Sequence, residues 1–189
     1  VSSGAIAVTN SGLFTKEATG LITAPGGFST TGAVNLANNI TTTNTLLSIG
    51  GNLTLAEAAN VILSTQGAAG IGDITVTGTT DGTAAGAKEI LTLNAGTGAI
   101  NLGAVGSGAA NMLEDLTITN SAALDFNGAL NIVGDLIQTN AATGTTTFDE
   151  NVNINSATLR GIDYDVKKAL VIVSSGAIAV TNSGLFTKE

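Results

Sequence analysis

The chain has 189 residues, of which 25 are glycine and one is proline; hydrophobic residues make up 43%, charged residues 11% and aromatics 3%, with a formal net charge of −8 and neither cysteine nor histidine. Without cysteine there is no disulfide framework and no thiolate metal site, and without histidine no Ser-His-Asp or Cys-His catalytic arrangement can form within the chain. The acidic balance opposes nucleic-acid phosphates and anionic membranes, while high apolar content with little charge or proline excludes disorder and small apolar side chains point to a narrow core.

From the N-terminus onward one pattern recurs: an apolar residue, a small or polar one, and a second apolar one. It begins at Ile6-Ala7-Val8 and returns at Val34-Asn35-Leu36 and Leu53-Thr54-Leu55. The stretch Leu55-Ala56-Glu57-Ala58-Ala59 comes nearest to a helical pattern but is too short to nucleate one, so it is expected to be a corner between strands. The pattern resumes at Ile74-Thr75-Val76, Leu91-Thr92-Leu93, Ile100-Asn101-Leu102, Leu116-Thr117-Ile118, Leu130-Asn131-Ile132 and Val152-Asn153-Ile154, and ends at Ile178-Ala179-Val180. A period of two predicts short strands. The outer members of the triplets from Ile6 to Ile154 should face inward in stacked rows, and the intervening Asn and Thr should face outward or bridge coils at corners. Between the triplets lie clusters such as Gly50-Gly51-Asn52, Asn94-Ala95-Gly96-Thr97-Gly98 and Asn140-Ala141-Ala142-Thr143-Gly144, whose residues suit tight turns.

Sandwiches and barrels favour aromatic-rich cores and two-residue hairpin turns, which this chain lacks. The expected fold is therefore all-β, a parallel β-helix or β-solenoid. A single coil of about 20 residues loses roughly 1–2 kcal/mol of backbone entropy per residue, and each buried Val, Leu or Ile returns only about 1.5–3 kcal/mol. A lone coil cannot stay folded, and coils must stack at about 4.8 Å to share hydrogen bonds and cover one another's apolar faces.

Residues 173 to 189, VSSGAIAVTNSGLFTKE, repeat residues 1 to 17 letter for letter, a period of 172 residues. Repetition at a fixed period marks a modular array. Residues 1–172 are accordingly read as one β-solenoid unit of about 7–9 coils and about 35–43 Å, and residues 173–189 as the start of the next, with no true domain boundary between them. The second copy is expected to continue the stack in the conformation of the first, displaced along the axis by one unit.

The stretch from Leu91 to Leu102, LTLNAGTGAINL, followed by Leu116-Thr117-Ile118-Thr119, resembles the repeats of filamentous-haemagglutinin-like giant bacterial surface proteins. The same style of sequence covers nearly the whole chain. The resemblance implies a right-handed parallel β-helix, secreted through the outer membrane and displayed at the cell surface as a long adhesive stalk or filament. Its implied partners are neighbouring copies along the filament, with lateral self-association and surface glycans as further contacts.

Chemistry-bearing residues are few. Asp163 and Asp165 stand two apart and so share one face of a strand. They are the pair that a polysaccharide-active β-helix would use, since such enzymes cluster carboxylates, and equally a solvated pair balanced by Arg160, Lys167 and Lys168. They are also the candidate calcium ligands, with Asp73, Asp81, Asp125 and Asp135 as further contributors, because calcium accepts irregular sets of oxygens. Adjacent acids in Glu114-Asp115 and Asp149-Glu150 point to opposite faces and cannot share a ligand. Residues 82–88, GTAAGAK, lack the spacing and hydroxyl of a phosphate loop, and Gly103-Ala104-Val105-Gly106-Ser107-Gly108 lacks a following helix. Asn39 and Asn52 head N-glycosylation patterns. The longest apolar run, Ala169 to Val173, is far short of the roughly 20 residues of a membrane helix. The expected function is thus a non-catalytic structural or adhesive filament with no resident cofactor; a carbohydrate- or receptor-binding stalk and a polysaccharide-active β-helix are the alternatives.

Overall fold

In a computed structural model, residues 4–67, 71–83, 89–140 and 142–189 are described, and among them there is no helix. The chain winds as a parallel β-solenoid of about eight turns, and every strand-to-strand pairing in its sheets is parallel. Each turn visits three faces. Face 1 carries nine strands: Ile6–Val8, Phe28–Thr30, Leu47–Ile49, Ile74–Val76, Ile100–Leu102, Leu124–Phe126, Thr145–Phe148, Asp163–Val166 and Phe186–Lys188. Face 3 carries eight, from Ile22–Thr23 to Ile178–Asn182. Face 2 is divided into sheets of four and three strands, joined by bridges from Thr80 to Val105 and from Val105 to Leu130.

Strands of three residues suffice because each needs only two inward side chains to seal its part of a narrow interior. On face 1 one inward row runs Phe28, Leu47, Ile74, Ile100 and Leu124, and its neighbour runs Ile49, Val76, Leu102, Phe126, Phe148 and Val166. All of these are essentially inaccessible to solvent. The expected core from Val34 to Ile154 is buried throughout. Ile6 and Val8 also align with the inward residues Phe28 and Thr30, but their strand is the end strand of the face 1 sheet among the described residues, and Ile6 is 38% exposed. The interval between stacked partners ranges from 18 residues, Thr146 to Tyr164, to 30, Val61 to Leu91, and loop length at the corners accounts for the difference.

The corners explain much of the glycine content. At the bend after face 1, Gly51 lies over Gly32, Gly78 over Gly51 and Gly103 over Gly78. A Cβ on Gly51 would come within 2.5 Å of the Gly32 carbonyl carbon, and one on Gly78 within 2.7 Å of that of Gly51. Backbone stacks directly on backbone here, which only glycine permits. The Leu55–Ala59 stretch is a corner, as expected: Ala59 N–H donates to the Ala56 carbonyl at 3.0 Å and Ala58 takes a φ of 57°.

The two copies of the repeated sequence differ in placement. In the first, Ile6–Val8 lies on face 1 and Phe14–Lys16 on face 2; in the second, Ile178–Asn182 lies on face 3 and Phe186–Lys188 on face 1. The second copy is therefore displaced along the axis and also around it, by seven full turns and two faces. The same two segments form strands in both, the first of them two residues longer in the second copy, and the same residues align with inward neighbours: Ile6 with Phe28 and Ile178 with Ala157, Phe14 with Val34 and Phe186 with Tyr164.

Candidate functional site

The carboxylates and side-chain amides hold one turn to the next. Asp73 Oδ1 accepts from Ala99 N–H at 2.8 Å, Asp115 Oδ1 from Asp135 N–H at 2.8 Å, and Asp163 Oδ1 from Leu185 N–H at 2.7 Å. Asp81, largely buried, accepts from the N–H and hydroxyl of Ser107 at 2.7 and 2.9 Å and from Thr79 Oγ1 at 2.5 Å. Asp135 accepts from Ser156 Oγ and Asn155 Nδ2. Asn39 and Asn52, the glycosylation-pattern residues, do the same work, accepting from Ile62 N–H and Thr79 N–H. Where the donor is a main-chain N–H, the bond satisfies a group that the strand ladder leaves without a partner. A charged acceptor strengthens it.

A second device is an amide ladder along the corner after face 3. Asn94 donates to Gln66 at 2.5 Å, Asn120 to Asn94 at 3.2 Å and Asn140 to Asn120 at 2.9 Å. A shorter one joins Asn153 to Asn131 at 2.7 Å on face 2. The signal for these was present in the strands themselves, since Asn follows Leu91-Thr92-Leu93 and recurs two residues after Ile118.

Asp163 and Asp165 share the outward side of one strand, as expected, and both are partly exposed. Of the cations expected to balance them, Lys167 feels the Asp165 charge but makes its ion pair with another carboxylate. Lys167 Nζ pairs with Asp149 Oδ1 at 2.7 Å, and this hydrogen bond and the carboxylate charge raise the Lys167 pKa above its ordinary value. Among the described residues no three acidic side chains converge as a metal would require, and Asp73, Asp81 and Asp135 are engaged in separate turn-to-turn bonds. Two shallow hollows, of about 320 Å³ beside Arg160, Asn140 and Asn182 and about 270 Å³ beside Met112 and Asn131, have no carboxylate in their linings. The 82–88 stretch lies outside the described residues from 84 to 88. In the other glycine-rich loop, Gly106 has a φ of 67° and Ser107 is held by Asp81.

Sequence patterning missed a buried polar cluster. Gln138, 1% exposed, donates from Nε2 to Thr146 Oγ1 at 3.0 Å; its Oε1 accepts from the Tyr164 hydroxyl at 2.7 Å and from Arg160 N–H at 3.1 Å. Burial pushes the Tyr164 phenol up to about 12. All the hydrogen-bonding groups of this cluster face one another in the interior, so it orders three neighbouring turns and offers no open position for a substrate.

Glu89 is fully buried, with its carboxylate accepting from Thr83 Oγ1 at 2.8 Å and, at 3.3 Å, from Ala58 N–H and Thr83 N–H. It fastens the left-handed corner at Ala58 to the turn above. No helix among the described residues is long and apolar enough to cross a membrane. Comparison with family models, with curated proteins and with solved structures found no match to this chain.

Proposed function

We propose that this chain is a length of a stiff, non-catalytic filament or stalk outside the cell, built from tandem β-solenoid units and akin in role to the filamentous-haemagglutinin-like proteins that its repeats resemble. One observation carries the reading: a stack of parallel turns whose opening sequence recurs at its far end. Such a rod acts through reach and stiffness. The turn-to-turn carboxylate bonds and amide ladders support that role, because they resist sliding and bending between coils. The partners are neighbouring copies along the filament, lateral contacts between rods and surface glycans, with individually weak contacts gaining strength by repetition. The net negative charge keeps the rods soluble and opposes nucleic acid.

Microscopy and fibre diffraction of the intact assembly test this. Fibres with a reflection near 4.8 Å along the fibre axis are expected, since strands stack along that axis. Isolated globular particles would refute the filament. Digestion of the assembly by protease added to whole cells tests its surface location.

A further inference from the structure

The two copies of the repeated sequence use opposite edges. Residues 4–17 occupy the bottom of the stack, with their upper edge paired to Phe28–Thr30 and Val34–Leu36. Residues 173–189 occupy the top, with their lower edge paired to Ser156–Gly161 and Asp163–Val166. One sequence thus shows two complete sets of pairings on its two sides, and no copy in the chain uses both.

We propose that residues 173–189 of one molecule replace residues 1–17 of a second copy of this chain, so that molecules join head to tail through one shared pair of strands. The donor keeps its own lower-edge pairings. Its upper edge takes over, residue for residue, the pairings that the displaced segment made: Ile178 opposite Phe28, Ala179 opposite Ser29 and Val180 opposite Thr30 on face 1 of the acceptor, then Phe186 opposite Val34 and Thr187 opposite Asn35 on its face 2.

The fit is set by identity and not by general stickiness. Ile178, Val180 and Phe186 already align with the buried Ala157, Leu159 and Tyr164 beneath them. Sandwiched, Ile178 lies between Ala157 and Phe28, and Phe186 between Tyr164 and Val34. Lys188 points to the same row between Val166 and Leu36. In the first copy the equivalent Lys16 is largely buried against Leu36 because its Nζ reaches round the corner to the main-chain carbonyls of Glu17 and, at 2.8 Å, Thr19.

Among the described residues the exchange leaves no strand pairing unreplaced, and it has two gains. The strand edge and half-exposed side chains of the top turn, with Ile178 at 37% and Phe186 at 43%, become covered. The displaced segment regains its conformational freedom. Because the copies differ by two faces, the acceptor is rotated by one face relative to the donor: face 3 of the donor continues as face 1 of the acceptor.

This proposal concerns the 189-residue chain itself and stands apart from whether the native assembly is a surface filament. The chain has no cysteine, so added pairs report cleanly. Stacked parallel strands bring paired Cα atoms within disulfide range. The full-length double variants S29C/A179C and N35C/T187C, incubated at rising concentration and then oxidised, are expected to give ladders of disulfide-linked dimers, trimers and larger species. The single-cysteine variants should stop at dimers. In T158C/A179C the link should form within one chain, because the donor keeps that pairing. Two independent pairs guard against one variant misfolding, and circular dichroism checks each fold. Monomers and dimers alone from both pairs would overturn the proposal. So would a ladder from A7C/T187C with none from S29C/A179C, since that pattern means end-on stacking without exchange. Fibres in the native assembly with no ladder from the purified chain would leave the filament standing and remove the exchange.

Discussion

The middle turns and the upper turns of the solenoid solve the same packing problem with different chemistry. From Leu47 to Leu124 the inward row on face 1 is purely aliphatic, and each side chain sits on one of similar size. Above Leu124 the row continues as Thr146 and Tyr164, while the neighbouring row stacks Phe126 on Phe148 with ring centroids 5.0 Å apart and planes 3° from parallel. A polar residue in an apolar row costs free energy unless it finds a partner. Here Gln138 reaches across from face 3 to bond Thr146 and Tyr164 together. In this row of face 1 the middle turns cohere by shape and the upper ones by mutual hydrogen bonding. The second arrangement is the less tolerant of single changes, because removing one member strands the others.

The comparison can be broken hardest in the middle. Ile118→Asp places an unpaired charge between Leu93 and Gln138 and is expected to cost more than about 4 kcal/mol. Urea denaturation should show it, and hydrogen exchange should locate the opening around residues 115–120. Its neighbour Thr117 faces outward, and Thr117→Lys should stay within about 0.5 kcal/mol of the parent.

Phe148→Ala removes one ring of the stacked pair and is expected to cost about 3–5 kcal/mol. Gln138→Leu should cost about 1–3 kcal/mol, because it leaves the Tyr164 hydroxyl and the Arg160 N–H without their acceptor. Adding Tyr164→Phe and Thr146→Val should restore part of that loss. A double-mutant cycle that showed simple additivity would remove the cooperative account of the upper turns.

Alkaline pH distinguishes the two regions without a substitution. Tyr164 is the chain's one tyrosine. Its phenol is raised by burial to about 12 from an ordinary value near 10, so the folded state stays protonated where the unfolded chain ionises. Its stabilising contribution is complete below pH 10 and is lost as the pH climbs from 10 towards 12, by on the order of 2 kcal/mol. Urea midpoints measured across that window should fall more steeply for the parent than for Tyr164→Phe. The smallest effect belongs to the Lys167–Asp149 ion pair: Lys167→Ala should leave the thermal midpoint nearly unchanged, with any small loss at low salt vanishing at high salt.

The alternating triplets mark strands on all three faces but fewer than half of the buried apolar side chains. They pass over many others, among them Phe28–Thr30, Leu47–Ile49, Leu124–Phe126 and Thr145–Phe148, although Leu47-Ser48-Ile49 follows the same rule. Thr145–Phe148 could not be recognised by alternation, because Thr146 is buried as a polar residue whose partner lies eight residues away in sequence. By residue type the aspartates are candidate calcium ligands; in the folded chain Asp73 and Asp163 accept from backbone donors one turn on, Ala99 and Leu185, separated by 26 and 22 residues. No local pattern carries that information, since corner loops of unequal length set which residue stands above which.

By itself, then, the sequence determined the alternation of inward and outward side chains, the narrow aliphatic interior, the parallel solenoid and the recurrence of its first 17 residues. These follow from short-range rules: two-residue periodicity, turn chemistry and the inability of one coil to stay folded alone. The tertiary structure decided the vertical neighbours, and with them the glycine column at the corner, the amide ladders and the Gln138–Thr146–Tyr164 cluster. It also placed the second copy two faces past a whole number of turns. That phase is the sum of every loop length between the copies, a global quantity that exists only once all the turns are wound.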